Sequence, residues 1–230
     1  MMETPLILLH GAVGAEDQLE GLREILSVDR EVRLFTFPGH GGIEMAGGDF
    51  SIAGFAESLR MFIEVNGWER VDLFGYSMGG YVALYLAGQY PGLVNKVITL
   101  ATKFHWDEAV AAKEVRMLDP GTIMAKVPAF AEVLQKRHHP LDWRMVLSRT
   151  TEMMRAMGAD NPLKEADYCN IQLPVLVMLG DRDKMVGFEE TLAVYKRLPD
   201  ASLCILPGTP HPIEQVDQQL LATLIRSFLE

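Results

Sequence analysis

The stretch "RVDLFGYSMGGYVALYLAGQYP", residues 70–91, changes character in its middle. Val71, Leu73 and Phe74 belong to a short apolar run of strand length, whereas residues 78–90 carry a helical pattern. Between the two stands Gly75-Tyr76-Ser77-Met78-Gly79. A strand that turns sharply into a helix leaves no space for side chains beside the turn, which is a reason for glycine on each side of Ser77. Such a turn also lifts the middle hydroxyl above the sheet edge. A passive serine in a tight turn leaves the paired glycines unexplained, so Ser77 is read as a nucleophile.

The same alternation extends outward. Short apolar runs of strand length lie at 5–10, 32–37, 70–75, 94–101, 174–180 and 201–207, with helical patterns at 16–27, 52–66, 78–90, 188–198 and 214–229. Ser51 is placed to cap the helix at 52–66 and Gly67 to end it. Near-continuous apolar strands separated by helices predict an α/β fold: a mostly parallel sheet of about six strands, covered by helices on both faces. The alternation stops once. Residues 103–170 carry helical segments and no strand-like run, which predicts a helical lid inserted into a core made of 1–102 and 171–230. Met117, Met124, Met145, Met153, Met154 and Met157 lie there, either as helix-packing core or as an adaptable apolar pocket wall.

Length and composition set the outer bounds. At 230 residues, 49% hydrophobic and 23% charged, the chain has an ordinary globular composition with ample material for a core. A net charge of -10 without a dense basic run excludes a nucleic-acid or anionic-membrane surface. The short run Lys136-Arg137-His138-His139 reads as a solvated helix end. Cys169 and Cys204 are isolated in apolar surroundings and read as buried free thiols, which suits a reducing compartment. The N-terminal "MMETPLILLHG" has neither a basic leader nor a membrane-length apolar run, so a cytoplasmic location is expected.

A serine nucleophile needs a base, normally a histidine held by a carboxylate. Of the six histidines, His211 lies in "LPGTPHPIEQV", between the last strand and the last helix, where loops of parallel sheets gather ligands. His10 and His40 belong to glycine-rich turns, and His105, His138 and His139 to the inserted helices. For the acid, Asp181 and Asp183 in "VLVMLGDRDKMV" both follow a buried strand, and spacing alone leaves the two equal. The order Ser, Asp, His matches one known triad order. Two N–H donors for an oxyanion are available at Met78, after the nucleophile, and at Ala12 in the glycine-bordered turn "LLHGAVG".

Taken in order, "LLHG", "FPGHG", "GYSMGG", "PVLVMLGDRD" and "HPIEQ" resemble the α/β-hydrolase superfamily, in its lid-bearing serine-hydrolase branch. The similarity covers nearly the whole core and is weak in the insertion. The resemblance implies that the acid is the second aspartate, Asp183, that the base is His211, and that the amides of Ala12 and Met78 form the oxyanion hole. His10, Gly11, Gly75 and Gly79 would support these turns. This chain departs from many relatives in having no room for an antiparallel hairpin before the first strand. Six parallel strands are therefore expected, with 32–37 at an exposed edge guarded by Glu31 and Arg33. It also has Thr36-Phe37 where relatives often carry aspartate, and Pro210 where glycine is common before the base.

The expected activity is hydrolysis of a small or medium carboxylic ester through an acyl-enzyme, on a small-molecule substrate with an acyl group. Thioesterase, lactonase, amidase, carbon–carbon hydrolase and lyase activities use the same triad, and the lid would decide among them. A non-catalytic small-molecule binder is the reading from another class. Serine at 77 argues against the branches that use a carboxylate nucleophile. No cofactor is expected: neither glycine cluster has the spacing of a nucleotide-binding loop. No metal is expected either, since "GDRDKMV" lacks the glycine and glutamate of a calcium loop and no paired histidines share a helix face. Phe104, His105, Trp106, Phe130, Trp143 and Met153 are candidates for the pocket wall, with core packing as their alternative. Oligomeric state is not encoded legibly.

Overall fold

A computed structural model describes residues 4–45 and 47–230; the first three residues of the N-terminal segment lie outside them. Six strands form one sheet: β1 (Leu6–Leu9), β2 (Val32–Phe35), β3 (Val71–Tyr76), β4 (Val94–Leu100), β5 (Val175–Gly180) and β6 (Ala201–Leu206). Their order is β2-β1-β3-β4-β5-β6, and every pairing is parallel. The expected strand at 32–37 is indeed an edge, where exposed Arg33 pairs with Glu31 at 2.8 Å.

Apolar side chains alternate along each strand and so build two cores. Ile7, Leu9, Leu73, Val97, Val175 and Val177 pack on one face against α2 (Ile52–Val65), α3 (Met78–Gln89) and α9 (Phe188–Arg197). Leu6, Leu8, Phe74, Ile98, Leu176 and Met178 pack on the other against α1 (Glu20–Leu26) and α10 (Gln218–Leu229). Each fully buried aliphatic or aromatic side chain contributes about 1.5–3 kcal/mol relative to exposure, so the two-sided burial is what commits these runs to the sheet. The polar member of β3, Asp72, is buried but bound by Arg30 and Asn95, each at 2.8 Å. Ser51 caps α2 by accepting from the Gly54 amide, and Gly67 follows that helix with φ +71°. Such a cap is worth about 1 kcal/mol.

Between β4 and β5 the chain is helical: α4 (Glu108–Glu114), α5 (Pro120–Lys126), α6 (Pro128–His138), α7 (Trp143–Ala159) and the short α8 (Glu165–Tyr168). Asp107, Asp119 and Asp142 start three of them by accepting from the amides of Val110, Thr122 and Arg144.

Two readings from sequence are corrected. Neither cysteine is buried: Cys169 is exposed and Cys204 half-buried, though both are free. The basic run is not a solvated end as a whole. Lys136 and His139 are exposed, but His138 is fully buried and the Arg137 side chain is only 6% exposed. Both dock on the turn after β1, and His138 also meets the turn after β2. His138 Nδ1 accepts from the Gly41 amide at 3.1 Å and its Nε2 lies 3.1 Å from the Val13 carbonyl, a pairing that requires the neutral ring protonated on Nε2. Burial lowers the His138 pKa and favours that neutral form. Arg137 reaches the Val13 carbonyl at 3.4 Å, Asp17 at 3.0 Å and Glu214 at 3.7 Å.

Candidate active site

All the strands point one way, so their carboxyl ends share an edge. The chain runs from β1 out to β2 and returns to β3 on the opposite side of β1, which puts a topological switch point between β1 and β3. The turn after β1 and the turn after β3 meet there.

Ser77 occupies the second of these turns with φ +51° and ψ -116°, a left-handed conformation unusual for a residue with a side chain. The strain is held in place by its surroundings. The Ser77 amide donates to the Leu100 carbonyl at 2.8 Å, and the Thr102 hydroxyl donates to the Ser77 carbonyl at 3.0 Å. A Cβ on Gly75 would collide with the backbone of Gly79 and Gly80, and one on Gly79 with the carbonyls of Leu9 and His10. The glycines therefore permit the close approach of strand, turn and helix that sequence reasoning demanded. A Cβ on Gly11 would stand 2.7 Å from the Tyr76 ring and 3.3 Å from Ser77 Cβ, so the β1 turn lies directly over the serine.

That β1 turn is rigid. His10 is fully buried; its Nδ1 donates to the Gly11 carbonyl at 2.7 Å while its Nε2 accepts from the Phe37 amide at 3.0 Å. Burial holds its pKa down to about 3 against the raising effect of the Gly11 bond, with His138 and Arg137 adding to the lowering. The Thr36 hydroxyl accepts from the Glu16 amide at 3.3 Å. Val13 takes φ +52°, and the half-buried Ala12 beside it lines the cavity above Ser77. Met78 is the first residue of α3, where helix geometry leaves N–H groups without intrahelical acceptors.

Beyond β5 and β6 the two aspartates separate. Asp183 Oδ2 lies 2.8 Å from His211 Nδ1, and its Oδ1 accepts from the amides of Met185 and Val186 at 2.8 and 2.9 Å. Burial raises the Asp183 pKa, but the His211 bond and the two amides outweigh it and leave the carboxyl below its ordinary value. Asp181 instead accepts from the Thr209 amide at 3.2 Å and shapes the loop. Tyr76 donates to the His211 carbonyl at 3.1 Å and steadies the loop despite Pro210.

Ser77 and His211 line one cavity of about 300 Å³ with Ala12, Trp106 and Phe130. The other four pocket candidates lie outside this cavity, His105 being exposed beside a separate groove. Phe104 and Met153 are buried in the core beneath the sheet face, and Trp143 packs with Ile123, Leu134 and Leu147 inside the helical segment. Of the inserted methionines, Met117 and Met154 reach the cavity, Met153 and Met157 are core, and Met124 and Met145 are exposed. Sequence reasoning missed Lys103, Glu114, Arg137, Met185, Val186 and Glu214 in the cavity wall. Lys103 was discoverable, because it follows β4 on the carboxyl edge; Glu114 gave no signal in a helix rich in charge. A larger groove of about 770 Å³, lined by Phe104, Asn161, Tyr168, Glu190 and Arg197 among others, contains neither Ser77 nor His211.

A protein-family model for the alpha/beta hydrolase fold matches residues 4–150. An uncharacterized protein of Mycobacterium tuberculosis is 31% identical over 98% of this chain and 75% of its own length. The dihydrolipoyllysine-residue acetyltransferase component of an acetoin cleaving system from Pseudomonas putida is 26% identical over 96% of this chain, which spans 63% of that protein. A 2-(acetamidomethylene)succinate hydrolase of Mesorhizobium japonicum is 23% identical over 98% of this chain and 88% of its own length. Among solved structures, an esterase from Thermogutta terrifontis superimposes with a TM-score of 0.76 at 22% identity, over 99% of this chain and 90% of that one. A parallel sheet with a strained serine turn at its switch point defines a class of α/β enzyme. The chain belongs to the α/β-hydrolase family. No described helix is long and apolar enough to cross a membrane.

Proposed function

We propose that the protein is a serine hydrolase that cleaves a small or medium carboxylic ester through an acyl-enzyme. One observation carries the reading: Ser77, held at positive φ, shares a cavity with His211, whose far ring nitrogen is held by Asp183. In this reading His211 Nε2 takes the proton of Ser77 Oγ as the oxygen attacks the ester carbonyl. The tetrahedral oxyanion is held by the amides of Ala12 and Met78, and α3 adds the positive end of its dipole. His211 then hands the proton to the departing alkoxide. Water, activated by the same imidazole, releases the acid and restores Ser77. Asp183 keeps the proton of the resting imidazole on Nδ1, so that Nε2 is free to accept, and stabilises the imidazolium when it forms.

The helical segment 103–170 acts as the lid. Its Trp106, Met117, Phe130 and Met154 supply an apolar wall, and deformable thioethers suit an acyl chain better than a planar or highly charged substrate. Arg137 and His138 anchor this segment to the turn that carries Ala12. The test is turnover of p-nitrophenyl esters of graded acyl length. The expected result is hydrolysis that Ser77→Ala and His211→Ala each lower by about 10³-fold or more without loss of fold. Retention of full activity by either variant would defeat the reading.

A further inference from the structure

Glu114, at the end of α4, is buried, with a side chain only 3% exposed, and it lines the same cavity as Ser77 and His211. Its surroundings do not satisfy it. Oε1 lies 3.7 Å from Lys103 Nζ, an ion-pair distance longer than a hydrogen bond, and no group among the described residues donates to Oε2. Lys103 is itself shared with Glu190 at 3.5 Å. Glu190, by contrast, is fully engaged: it accepts from the amides of Phe104, His105 and Gly187 at 3.2, 3.1 and 2.9 Å. One cation thus serves two carboxylates, and the carboxylate on the cavity side is the one left short of donors. The cavity's other cation, Arg137, is committed to Asp17, Glu214 and the Val13 carbonyl. Leaving a buried carboxylate oxygen without a donor is costly, and a donor on a molecule bound in this cavity would remove that cost.

We propose that Glu114 sets substrate specificity: its free oxygen accepts a hydrogen bond from a donor on the substrate, a hydroxyl or a protonated amine, carried away from the scissile carbonyl. This rests on the hydrolase reading above and narrows it. Besides Lys103 and Arg137, the inserted segment lines this cavity with apolar Trp106, Met117, Leu118, Phe130 and Met154, so the substrate is amphipathic: an apolar spacer ending in a donor. A plain alkyl chain would leave the carboxylate unpaired, and a site built for a hydrogen bond rejects an analogue that lacks it.

The experiment uses methyl alkanoates of rising length, each matched with its ω-hydroxy and ω-ammonium counterpart, and follows proton release. At the length that spans the cavity, kcat/KM for a donor-bearing ester should exceed that of the alkyl ester by about 10- to 100-fold, the value of one hydrogen bond to a charged group. The hydroxy and ammonium arms distinguish a neutral from a cationic donor. Glu114→Gln, which keeps an oxygen acceptor without the charge, should retain part of a hydroxyl preference and lose an ammonium preference. Glu114→Leu should bring the ratio to one or invert it. Alkyl esters cleaved as well as donor-bearing ones at every length would overturn the assignment and leave the hydrolase reading standing. A preference that Glu114→Leu leaves unchanged would overturn it too. No cleavage of any ester, together with no fluorophosphonate adduct, would overturn both.

Discussion

Asp183 holds His211 by a 2.8 Å contact between its Oδ2 and the ring Nδ1, while Asp181, two residues earlier, turns away to accept from the Thr209 amide. The two carboxylates of one Gly-Asp-x-Asp turn therefore have different work. Asp183→Asn should lower kcat by about 10³- to 10⁴-fold, because the amide no longer selects the imidazole tautomer that can accept the serine proton. Asp181→Asn should stay within a few-fold of the parent. Steady-state kinetics on a p-nitrophenyl ester reads both, and the reverse ranking would misplace the acid.

The glycines of the serine turn make a prediction about stability. Gly75→Ala and Gly79→Ala press a methyl group into neighbouring backbone, which cannot move aside as a side chain can. Each should cost about 3 kcal/mol or more, at or beyond the upper end of ordinary overpacking. Gly88 lies in α3 with Gly79, and a Cβ there would meet only Ile171 at 3.8 Å. Gly88→Ala should be neutral or stabilising by about 0.5–1 kcal/mol. Urea denaturation of the three variants checks the contrast.

Buried histidine gives the pH dependence its sign. His10 has a folded pKa of about 3 against 6.5 when free, so between those values the unfolded chain binds more protons than the folded one. Stability must then fall as pH drops from about 6.5 toward 3, by about 1.4 kcal/mol per pH unit for each fully developed proton difference. Burial lowers His40 and His138 as well, which adds to the slope. Asp183 is shifted down from 3.8, so its stabilising share is present above that value and is lost only as pH falls through its lower folded pKa. Melting temperature against pH should decline through the 6.5–4 window, and His10→Gln should make the decline shallower. A flat profile there would contradict the account.

Much of this architecture could be read from the chain because its signals are local. The sharp strand-to-helix turn dictates its own glycines, and Ser51 and Gly67 bound α2 as capping chemistry requires. Side chains that depend on how helices dock were less legible. Met153 and Met154 are neighbours about 100° apart on α7, and which of them faces the serine is decided by tertiary packing rather than by composition. The same reason hides Arg137 and His138: a basic run at a helix end looks solvated until the Val13 carbonyl after β1 and the Gly41 amide after β2 bury it. Asp181 and Asp183 were indistinguishable by spacing, since only the direction of each side chain separates them.

The central claim is that Ser77 is the activated nucleophile, and the most direct measurement is covalent labelling of the folded protein with a fluorophosphonate, followed by peptide mass spectrometry. The account predicts one adduct, on Ser77, which disappears in Ser77→Ala and forms far more slowly in His211→Ala. No adduct on Ser77 in folded protein, or labelling at an undiminished rate in His211→Ala, would contradict it.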